Sequence, residues 1–440
     1  MNKAIYTGAL GACLLIGAAA SAQNPIIRDQ FTADPTARVF EGKVYLYPSH
    51  DIISPVEPER KWFCMADYHI FSSEDLMNWT DHGVLISQEN VPWGKPDGYS
   101  MWAPDCVEKN GKYYFYFPNA PKSGRGFAVG VAVADKPYGP FKPEAEPIKG
   151  VMGIDPCVLN ASDGTSYIYW SGMGLRGAKL KDNMLELDGE SVRLDEPLPA
   201  GFKEGPFIFE REGRFYLTYP WVQDRTETLA YAMSDNPLGP YEYKGLIMDQ
   251  SQSSCWTNHH SLVEYKGEWY LFYHHNDYSP QFDKNRSVRI DKVRFNEDGT
   301  IQTVTPTLRG VGISPASSLI QLDRYSFMSG GGTFVDFLDT QKPFDGWFVN
   351  LPRPQTWVEY EDIDFGNKAP KKIRIRYRSE AGAAMGFSAE ENKDFATVKF
   401  PSAKTWTEIT APMDLELTGI CNVHAAVNSG DIQIDWITFE

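Results

Sequence analysis

The sequence has few of the features that a nucleic-acid partner would require. Its 440 residues include 42 Lys and Arg against 58 Asp and Glu, and the formal net charge is -16 at pH 7. A protein this acidic repels polyanions, so we expect no nucleic-acid partner. A neutral or weakly charged substrate is compatible with the same charge, which can equally serve solubility alone.

Paired cysteine motifs are also missing. Five of the six cysteines lie beyond the N-terminal segment, and their positions are scattered rather than spaced as in a zinc site. We therefore predict buried free thiols and leave one disulfide open as an alternative. These five residues are Cys64, Cys106, Cys157, Cys255 and Cys421.

Beyond the N-terminal segment, no apolar run approaches the length of a transmembrane helix. The first 22 residues predict a signal peptide, because Lys3, a short apolar stretch and the small-residue site Ala20-Ser21-Ala22 follow one another. We expect a periplasmic or secreted protein without a transmembrane segment. A lipoprotein anchor at Cys13 is the less favoured alternative, since much of the apolar stretch follows that cysteine.

Amphipathic helical patterns are scarce, whereas aromatic residues make up 14% of the chain. A hairpin-like phrase recurs five times, with a short hydrophobic strand, a glycine turn and an aromatic strand. The copies are DPTARVFEGKVYLY from residue 34, APDCVEKNGKYYFYF from 103, DPCVLNASDGTSYIYW from 155, EGPFIFEREGRFYLTY from 204 and HHSLVEYKGEWYLFYHH from 259. Apart from an insertion at 52–66, their spacing is about 50 residues, as in propeller blades. The sequence predicts an all-β chain with a five-bladed β-propeller over 24–325, because a β-solenoid would have shorter repeats.

The first residue of each phrase marks a candidate site. Because the innermost strands of a propeller surround one axis, these residues should converge at one end of the channel. They are Asp34, Ala103, Asp155, Glu204 and His259. A single Asp-Pro usually only opens a strand or a turn, but three crowded carboxylates raise one another's pKa, which structure alone does not require. Two such groups flanking a sugar suit glycosidic cleavage, with inversion at roughly 6.5–9.5 Å separation and retention at roughly 5–5.5 Å.

The repeat ends near residue 325, a glycine-rich segment at 329–332 marks a junction, and residues 326–440 carry no further copy of the repeat. Their short alternating strands, among them KKIRIRYRS and IQIDWITF, predict a β-sandwich (jelly-roll) domain. Trp347 and Trp357 are candidates to stack on a sugar ring, and Trp436 is a candidate core residue.

Taken in order, the motifs of the first domain resemble those of glycoside hydrolase family 43. The likeness covers about residues 25–310 and rests on TADPTARVF, MWAPDCVEKNGKYYFYF, GIDPCVL, KEGPFIF and TNHHSLVEYKGEWYLFYH. It implies that Asp34 is the general base, that Asp155 tunes and positions the acid, and that Glu204 is the general acid. The second domain resembles a family 6 carbohydrate-binding module, and whether it binds sugar or only packs on its partner is left open.

The same resemblance implies further site residues. Arg286 would donate hydrogen bonds to sugar hydroxyls and Trp102 would line the pocket, with His50 and Asp51 as weaker substrate-binding candidates. His259 would contact an axial metal ion, calcium, or a water, and no organic cofactor is expected. The alternatives are a core position for Trp102 and a surface ion pair for Arg286.

We therefore expect an inverting glycoside hydrolase that acts on an oligo- or polysaccharide from plants. An α-L-arabinofuranosidase is the first interpretation, and a β-xylosidase or a galactofuranosidase or galactosidase is the alternative. A non-catalytic glycan-binding propeller is the rival from another class, although binding alone does not need three clustered acids. Exo or endo action and the oligomeric state are left open by the sequence.

Overall fold

The innermost strands of five antiparallel sheets are the elements that position the site. The computed structural model describes residues 23–57, 59, 62–196, 198–223, 226–250, 255–389 and 393–440. The predicted signal peptide lies outside these residues. Helical structure in the described residues is limited to two 3₁₀ turns, Gln88–Asn90 and Pro343–Asp345. No helix in the described part of the chain has the length and apolar character of a membrane span.

Each of the five repeats forms one sheet, and the strands of each sheet follow sequence order. Blades one to four have four strands each, and blade five has three within the described residues. The strands are β1 Ala33–Phe40, β2 Lys43–Ser49, β3 Asp67–Ser73 and β4 Thr80–Ser87; β5 Asp105–Lys109, β6 Lys112–Asn119, β7 Ala128–Ala134 and β8 Lys142–Pro143; β9 Ile154–Asn160, β10 Ser166–Gly172, β11 Gly174–Lys179 and β12 Val192–Arg193; β13 Phe207–Arg211, β14 Arg214–Gln223, β15 Thr226–Ser234 and β16 Glu242–Met248; and β17 His260–Tyr265, β18 Glu268–His275 and β19 Ser287–Val293.

The predicted glycine turns are tight loops that join the first and second strands of a blade. At Glu41-Gly42 the φ angles are 52° and 77°, and at Lys266-Gly267 they are 53° and 81°. Two successive positive φ values are the signature of a type I′ hairpin, whose twist matches the flanking strands. A glycine at the second position adopts this conformation without a steric penalty.

Side-chain hydrogen bonds between innermost strands join neighbouring blades. The Ala37 N–H donates to the Ser261 hydroxyl at 2.9 Å, which joins blade one to blade five. Arg38 donates twice to Asp105 of blade two, at 3.0 and 2.6 Å. Asp105 in turn accepts the Val158 N–H of blade three at 2.6 Å. The predicted five-bladed closure is confirmed, and it brings the starts of β1, β9 and β17 to one end of the axis.

Aromatic residues fill the space between blades, which explains their abundance. Tyr47 and Tyr169 are fully buried, and a buried hydroxyl needs a hydrogen-bond partner. The Tyr47 hydroxyl donates to the Pro137 carbonyl at 2.6 Å, and the Tyr169 hydroxyl donates to the Pro237 carbonyl at 2.8 Å. These two prolines occupy corresponding turns of the second and fourth repeats, so the turn phrases also anchor the core.

The C-terminal part of the chain forms two six-stranded sheets. One has the order β20-β25-β30-β27-β28 with β22 beside β25, and the other has the order β23-β24-β31-β26-β29 with β21 beside β31. Their strands are β20 Ser314–Pro315, β21 Ile320–Gln321, β22 Phe327–Met328, β23 Phe334–Phe337, β24 Trp347–Leu351, β25 Trp357–Asp364, β26 Lys372–Ser379, β27 Ala383–Ala389, β28 Lys393–Phe400, β29 Ala403–Pro412, β30 Ile420–Gly430 and β31 Ile432–Phe439.

One apolar core joins the two sheets into a sandwich. Val358 and Phe387 from the first sheet and Ile375 and Ile434 from the second belong to the same buried cluster. The domain limits at 325 and 326 stay predictions. The pairing of β20 and β21 shows that the chain takes part in the sandwich sheets from Ser314 onward.

A buried arginine connects the sandwich with the propeller. The Arg324 guanidinium lies 3.6 Å from the centre of the Trp347 ring, and it donates to the Asn24 carbonyl at 2.8 Å and to the Tyr278 hydroxyl at 3.3 Å. Trp347 also stacks on Tyr278 at 5.0 Å. The interpretation of Trp347 as a sugar-stacking residue was therefore wrong, because its ring is buried in this contact.

Candidate active site

Two of the predicted catalytic aspartates have a positive backbone φ angle. Asp34 at the start of β1 has φ 46°, and Asp155 at the start of β9 has φ 53°. Side-chain-bearing residues rarely adopt positive φ, and such conformations concentrate at functional sites. Each aspartate precedes a proline in the corresponding repeat, so blades one and three present their acids with the same local geometry.

Asp34 is held by a buried arginine. Arg286, just before β19, donates from Nη1 to Asp34 Oδ1 at 2.6 Å and from Nη2 to Asp34 Oδ2 at 3.2 Å. The Ser49 hydroxyl also donates to Asp34 Oδ2 at 2.8 Å. Burial raises the pKa of Asp34, but Arg286, followed by His259, His274 and Ser49, outweighs burial and lowers it to about 2. Asp34 is therefore a carboxylate at any working pH.

Asp51 holds Arg286 from the other side. It accepts Arg286 Nε and Nη2, both at 2.9 Å, and the Arg286 backbone N–H at 2.8 Å. Burial raises the pKa of Asp51, whereas Arg286 lowers it, and the net direction is upward. The planar guanidinium thus lies between two buried carboxylates, which fixes its orientation.

The structure corrects two of the weaker substrate-binding predictions. Neither His50 nor Asp51 lies in the wall of the central cavity. Asp51 lies behind Arg286, and His50 Nδ1 donates instead to Asp67 Oδ1 at 2.6 Å. Arg286 does reach the cavity wall, but most of its donors serve Asp34 and Asp51, so its first role here is to hold those groups.

Asp155 and Glu204 form the second part of the site. Asp155 Oδ2 accepts the Gly205 N–H at 3.0 Å, which fixes the chain directly after Glu204. Burial, then the charges of Glu204 and Asp34, raise the pKa of Asp155 well above its usual range, against the Gly205 N–H. Burial, then Asp34, raise the pKa of Glu204 as well, against Lys203 and Arg286. This pair therefore keeps a proton at pH values where isolated carboxylic acids have lost it.

Gly205 permits the close approach of neighbouring blades at this point. It has φ 66°, and a Cβ atom there would meet the Pro220 ring at 3.0 Å and His259 Nδ1 at 3.1 Å. Any side chain at this position would therefore be strained by both backbone and space. This close packing explains the glycine in the Glu-Gly-Pro phrase of the fourth repeat.

The acids open into a cavity of about 310 Å³ at the end of the axis. Trp102 lies in its wall, as predicted, and contacts Phe127 at 4.6 Å and Phe63 at 6.1 Å between ring centres. The cavity-lining residues are Asp34, Trp62, Phe63, Met65, Trp102, Ala103, Ile154, Asp155, Lys203, Glu204, Trp256, Thr257, Asn258, His259 and Arg286. A wall of aromatic rings with a few convergent polar groups is typical of a small-molecule binding site.

Two lining residues carry polar atoms that are ready for a ligand. Both amide atoms of the buried Asn258 side chain and the buried Trp102 Nε1 have no hydrogen-bond partner among the described residues. Buried polar groups normally have partners, so the hydroxyl groups of a bound ligand would be fitting ones. The repeat pattern missed Asn258 because it precedes the opening His259 of the fifth phrase.

His274 is a further site residue that the sequence pattern missed. It lies at the end of β18, where its Nδ1 accepts the Asp34 backbone N–H at 3.1 Å. That bond leaves the ring proton on Nε2, which lies 3.2 Å from the Thr257 carbonyl. Burial, then Arg286, lower the pKa of His274 far below its usual range, so the neutral ring anchors the Asp34 backbone. Only the tertiary contact between β1 and β18 reveals this role.

His259 lies in the cavity wall, where the axial ion was predicted. Its Nδ1 is 4.0 Å from Asp34 Oδ1, and burial lowers its pKa, so its ring is neutral. Calcium prefers six to eight oxygen ligands. His259 supplies only one imidazole, and both Asp34 oxygens already accept hydrogen bonds. The described side chains thus do not form a calcium cage here, and the axial ion stays a prediction.

The sequence of this chain is similar to those of known enzymes. The model of the family described as glycosyl hydrolases family 43 matches residues 22–301. A xylosidase/arabinosidase of Bacteroides ovatus is 38% identical over 63% of this chain and 96% of its own length. An arabinoxylan arabinofuranohydrolase of Paenibacillus polymyxa is 26% identical over 91% of this chain and 71% of its own length.

Among solved structures, a β-xylosidase/α-arabinofuranosidase from a compost microbial metagenome, in complex with xylotriose, has a TM-score of 0.59. It is 36% identical, and the match covers 65% of this chain and 98% of that chain. A Bacillus subtilis arabinoxylan arabinofuranohydrolase structure, at 24% identity and a TM-score of 0.55, shares the fold over 96% of this chain and 99% of its own.

Proposed function

The chain belongs to glycosyl hydrolase family 43, and from that premise we propose that it is an exo-acting α-L-arabinofuranosidase. It is an inverting glycoside hydrolase that acts on plant polysaccharides. The proposal of arabinofuranosidase activity rests on how much of the chain one relative matches. The arabinoxylan arabinofuranohydrolase of Paenibacillus polymyxa aligns with 91% of this chain, so the similarity extends into the sandwich domain.

A β-xylosidase is the second candidate. The Bacteroides ovatus relative, at 38% identity, is named for both xylose and arabinose, and its match covers 63% of this chain. Exo action is supported by the size of the cavity, about 310 Å³, which lies at the small end of ligand pockets (roughly 300–1,000 Å³). Such a cavity suits the end of a glycan chain better than its middle.

The proposed reaction is a single displacement. Asp34, ionised because of Arg286, takes a proton from the water that attacks the anomeric carbon. Glu204 gives its proton to the glycosidic oxygen as the bond from that oxygen to the anomeric carbon breaks. The configuration inverts because the water and the leaving group occupy opposite faces of the sugar. Each proton has a defined donor and acceptor, and no step needs a metal ion.

Asp155 is proposed as a positioning residue. It accepts a hydrogen bond from the Gly205 N–H, which fixes the backbone beside Glu204, and the charges of Asp155 and Glu204 oppose each other's ionisation, so the pair retains a proton. In the proposed reaction Glu204 delivers this proton, and Asp155 holds the backbone beside it. This division of roles gives one acid and one base in the same site.

We also propose that the protein acts outside the cytoplasm. The support is the signal-peptide pattern of residues 1–22, which lie outside the described residues. A polysaccharide is too large to be a routine cytoplasmic substrate, so the proposed location and substrate agree.

A substrate panel tests the proposal. The purified protein should hydrolyse 4-nitrophenyl α-L-arabinofuranoside with a higher kcat/KM than the β-D-xyloside or the β-D-galactofuranoside, and should release arabinose from arabinoxylan oligosaccharides. A higher kcat/KM on the β-D-xyloside would replace the proposal with the second candidate. Sugar binding without release on the whole panel would favour the glycan-binding alternative.

A further inference from the structure

A cluster of two histidines and one aspartate lies on blade one, outside the cavity wall. Asp67 and His69 are the first and third residues of β3, and the register pairs Ser49 of β2 with Tyr68. Alternate residues of a strand point to the same face, so Asp67 and His69 share a face. His50 follows β2 directly, and its ring meets the His69 ring edge-on at 5.0 Å.

The three side chains are close enough to share one ion. One possible ligand atom from each of His50, Asp67 and His69 lies within 4.8 Å of the others. His50 Nδ1 and Asp67 Oδ1 are 2.6 Å apart. Within the described residues, no other group of three or more His, Cys, Asp or Glu side chains meets this distance criterion.

A second carboxylate orients one of the histidines. His69 Nδ1 lies 3.2 and 3.1 Å from the two carboxylate oxygens of Asp81 on β4. The Gln30 amide donates to Asp81 Oδ2 at 3.2 Å, which holds that carboxylate in place. With the ring proton on Nδ1, His69 keeps the lone pair of Nε2 for a ligand bond. Metal-binding histidines commonly have such a carboxylate behind them.

The cluster is open enough for an ion to enter and for water to complete its coordination. The side chains of His50, Asp67 and His69 are 19%, 22% and 16% exposed. Two imidazoles and one carboxylate with an open fourth position form a tetrahedral zinc site. Calcium and magnesium, which prefer oxygen ligands, suit this donor set less well.

We propose that His50, Asp67 and His69 bind one divalent transition-metal ion of the zinc class. His50 lies between Ser49, which donates to Asp34 at 2.8 Å, and Asp51, which holds Arg286. A bound ion therefore fixes the chain segment that supports the Asp34–Arg286 pair. The proposal does not depend on which sugar the enzyme releases.

Calorimetric titration of chelator-treated protein with Zn²⁺ tests the proposal. Wild type should bind one ion per chain, and His69→Ala should weaken binding at least tenfold, as should Asp67→Asn. The matched control is His82→Ala on β4, a histidine of the same blade whose Nε2 lies 2.8 Å from the Ser72 hydroxyl. This control should bind as tightly as wild type.

Thermal unfolding gives a second readout that does not use activity. Zn²⁺ should raise the Tm of wild type and of His82→Ala, and it should leave the Tm of Asp67→Asn unchanged, even if His69→Ala fails to fold. Absence of binding to wild type would overturn the proposal. So would a single site that persists in both cluster variants, because the ion would then lie elsewhere, for example at His259.

Discussion

Arg286 donates two hydrogen bonds to Asp34, from Nη1 to Oδ1 at 2.6 Å and from Nη2 to Oδ2 at 3.2 Å. The pair is buried, and separating its members would leave an unpaired charge without water. The arginine thereby sets the protonation state of the proposed base. It also fixes the direction in which the Asp34 oxygens face the cavity.

Replacing Arg286 should therefore raise the pKa of Asp34. In wild type the pKa of Asp34 is lowered to about 2. Asp34 is therefore ionised above this pH and becomes protonated only as the pH falls through it. In Arg286→Gln the acidic limb of the kcat/KM profile should move to higher pH, and kcat/KM at the optimum should fall by about 100-fold or more. Arg286→Lys, which keeps the charge but not the two-pronged geometry, should shift the limb less.

Arg294→Gln, an exposed arginine just after β19, is the matched control and should leave the pH profile unchanged. Thermal unfolding should first establish that each variant is folded. An acidic limb that stays in place in a folded Arg286→Gln protein would show that this arginine does not set the base.

Asp155→Asn tests the coupling between Asp155 and Glu204, the pair that retains a proton. Burial and then the charge of Asp34 still raise the pKa of Glu204 in this variant, but the charge repulsion between positions 155 and 204 is gone. The alkaline limb of kcat/KM should move to lower pH, and kcat should fall more than KM changes. Asp163→Asn, an exposed aspartate of the same blade whose Oδ1 accepts the Thr165 N–H, is the control. An alkaline limb at the same pH in wild type, Asp155→Asn and Asp163→Asn would argue against coupling between Asp155 and Glu204.

Glu204→Gln tests the proposed acid. Loss of a general acid typically costs about 10²–10⁴-fold in rate, and the loss should be greatest on substrates with poor leaving groups. Aryl glycosides whose phenols leave easily need little protonation and should be largely spared. Glu210→Gln is the control, since Glu210 lies on β13 of the same blade and accepts from Ser162. An equal loss across the leaving-group series would contradict the acid role of Glu204.

Arg324 should matter for stability and not for catalysis. Arg324→Met removes the hydrogen bonds to the Asn24 carbonyl and the Tyr278 hydroxyl, and it leaves the buried Asp323 carboxyl without the cation 3.2 Å away. Denaturant titration should show a loss of about 3–5 kcal/mol in the free energy of unfolding. Arg353→Met, at an exposed arginine, is the control and should change the free energy of unfolding little. Similar free energies of unfolding for the two variants would contradict the interdomain role of Arg324.

The repeat made the main features predictable from sequence. Five glycine-centred phrases with an aromatic strand determine both the propeller and its inner strands, so Asp34, Asp155 and Glu204 could be brought together by counting blades. The insertion at 52–66 was visible in the sequence as a loop that shapes the pocket, and it supplies Trp62 and Phe63 to the cavity. An aromatic pair inside an inserted loop is a signal that could have been used.

Other features depend on contacts between distant parts of the chain. Asp51 and Arg286 are 235 residues apart, so spacing could not show that Asp51 serves the arginine and not the sugar. His274 contacts the Asp34 backbone across 240 residues. The burial of Trp347 against Tyr278 likewise depends on how the sandwich packs on the propeller, which strand alternation does not encode.

The most direct test of the central claim follows the first sugar released from 4-nitrophenyl α-L-arabinofuranoside by proton NMR. If Asp34 activates water opposite Glu204, the first arabinose to appear is the β-anomer, and Asp34→Asn releases none above the uncatalysed rate. Initial appearance of the α-anomer, or near-wild-type release by Asp34→Asn, would contradict the account.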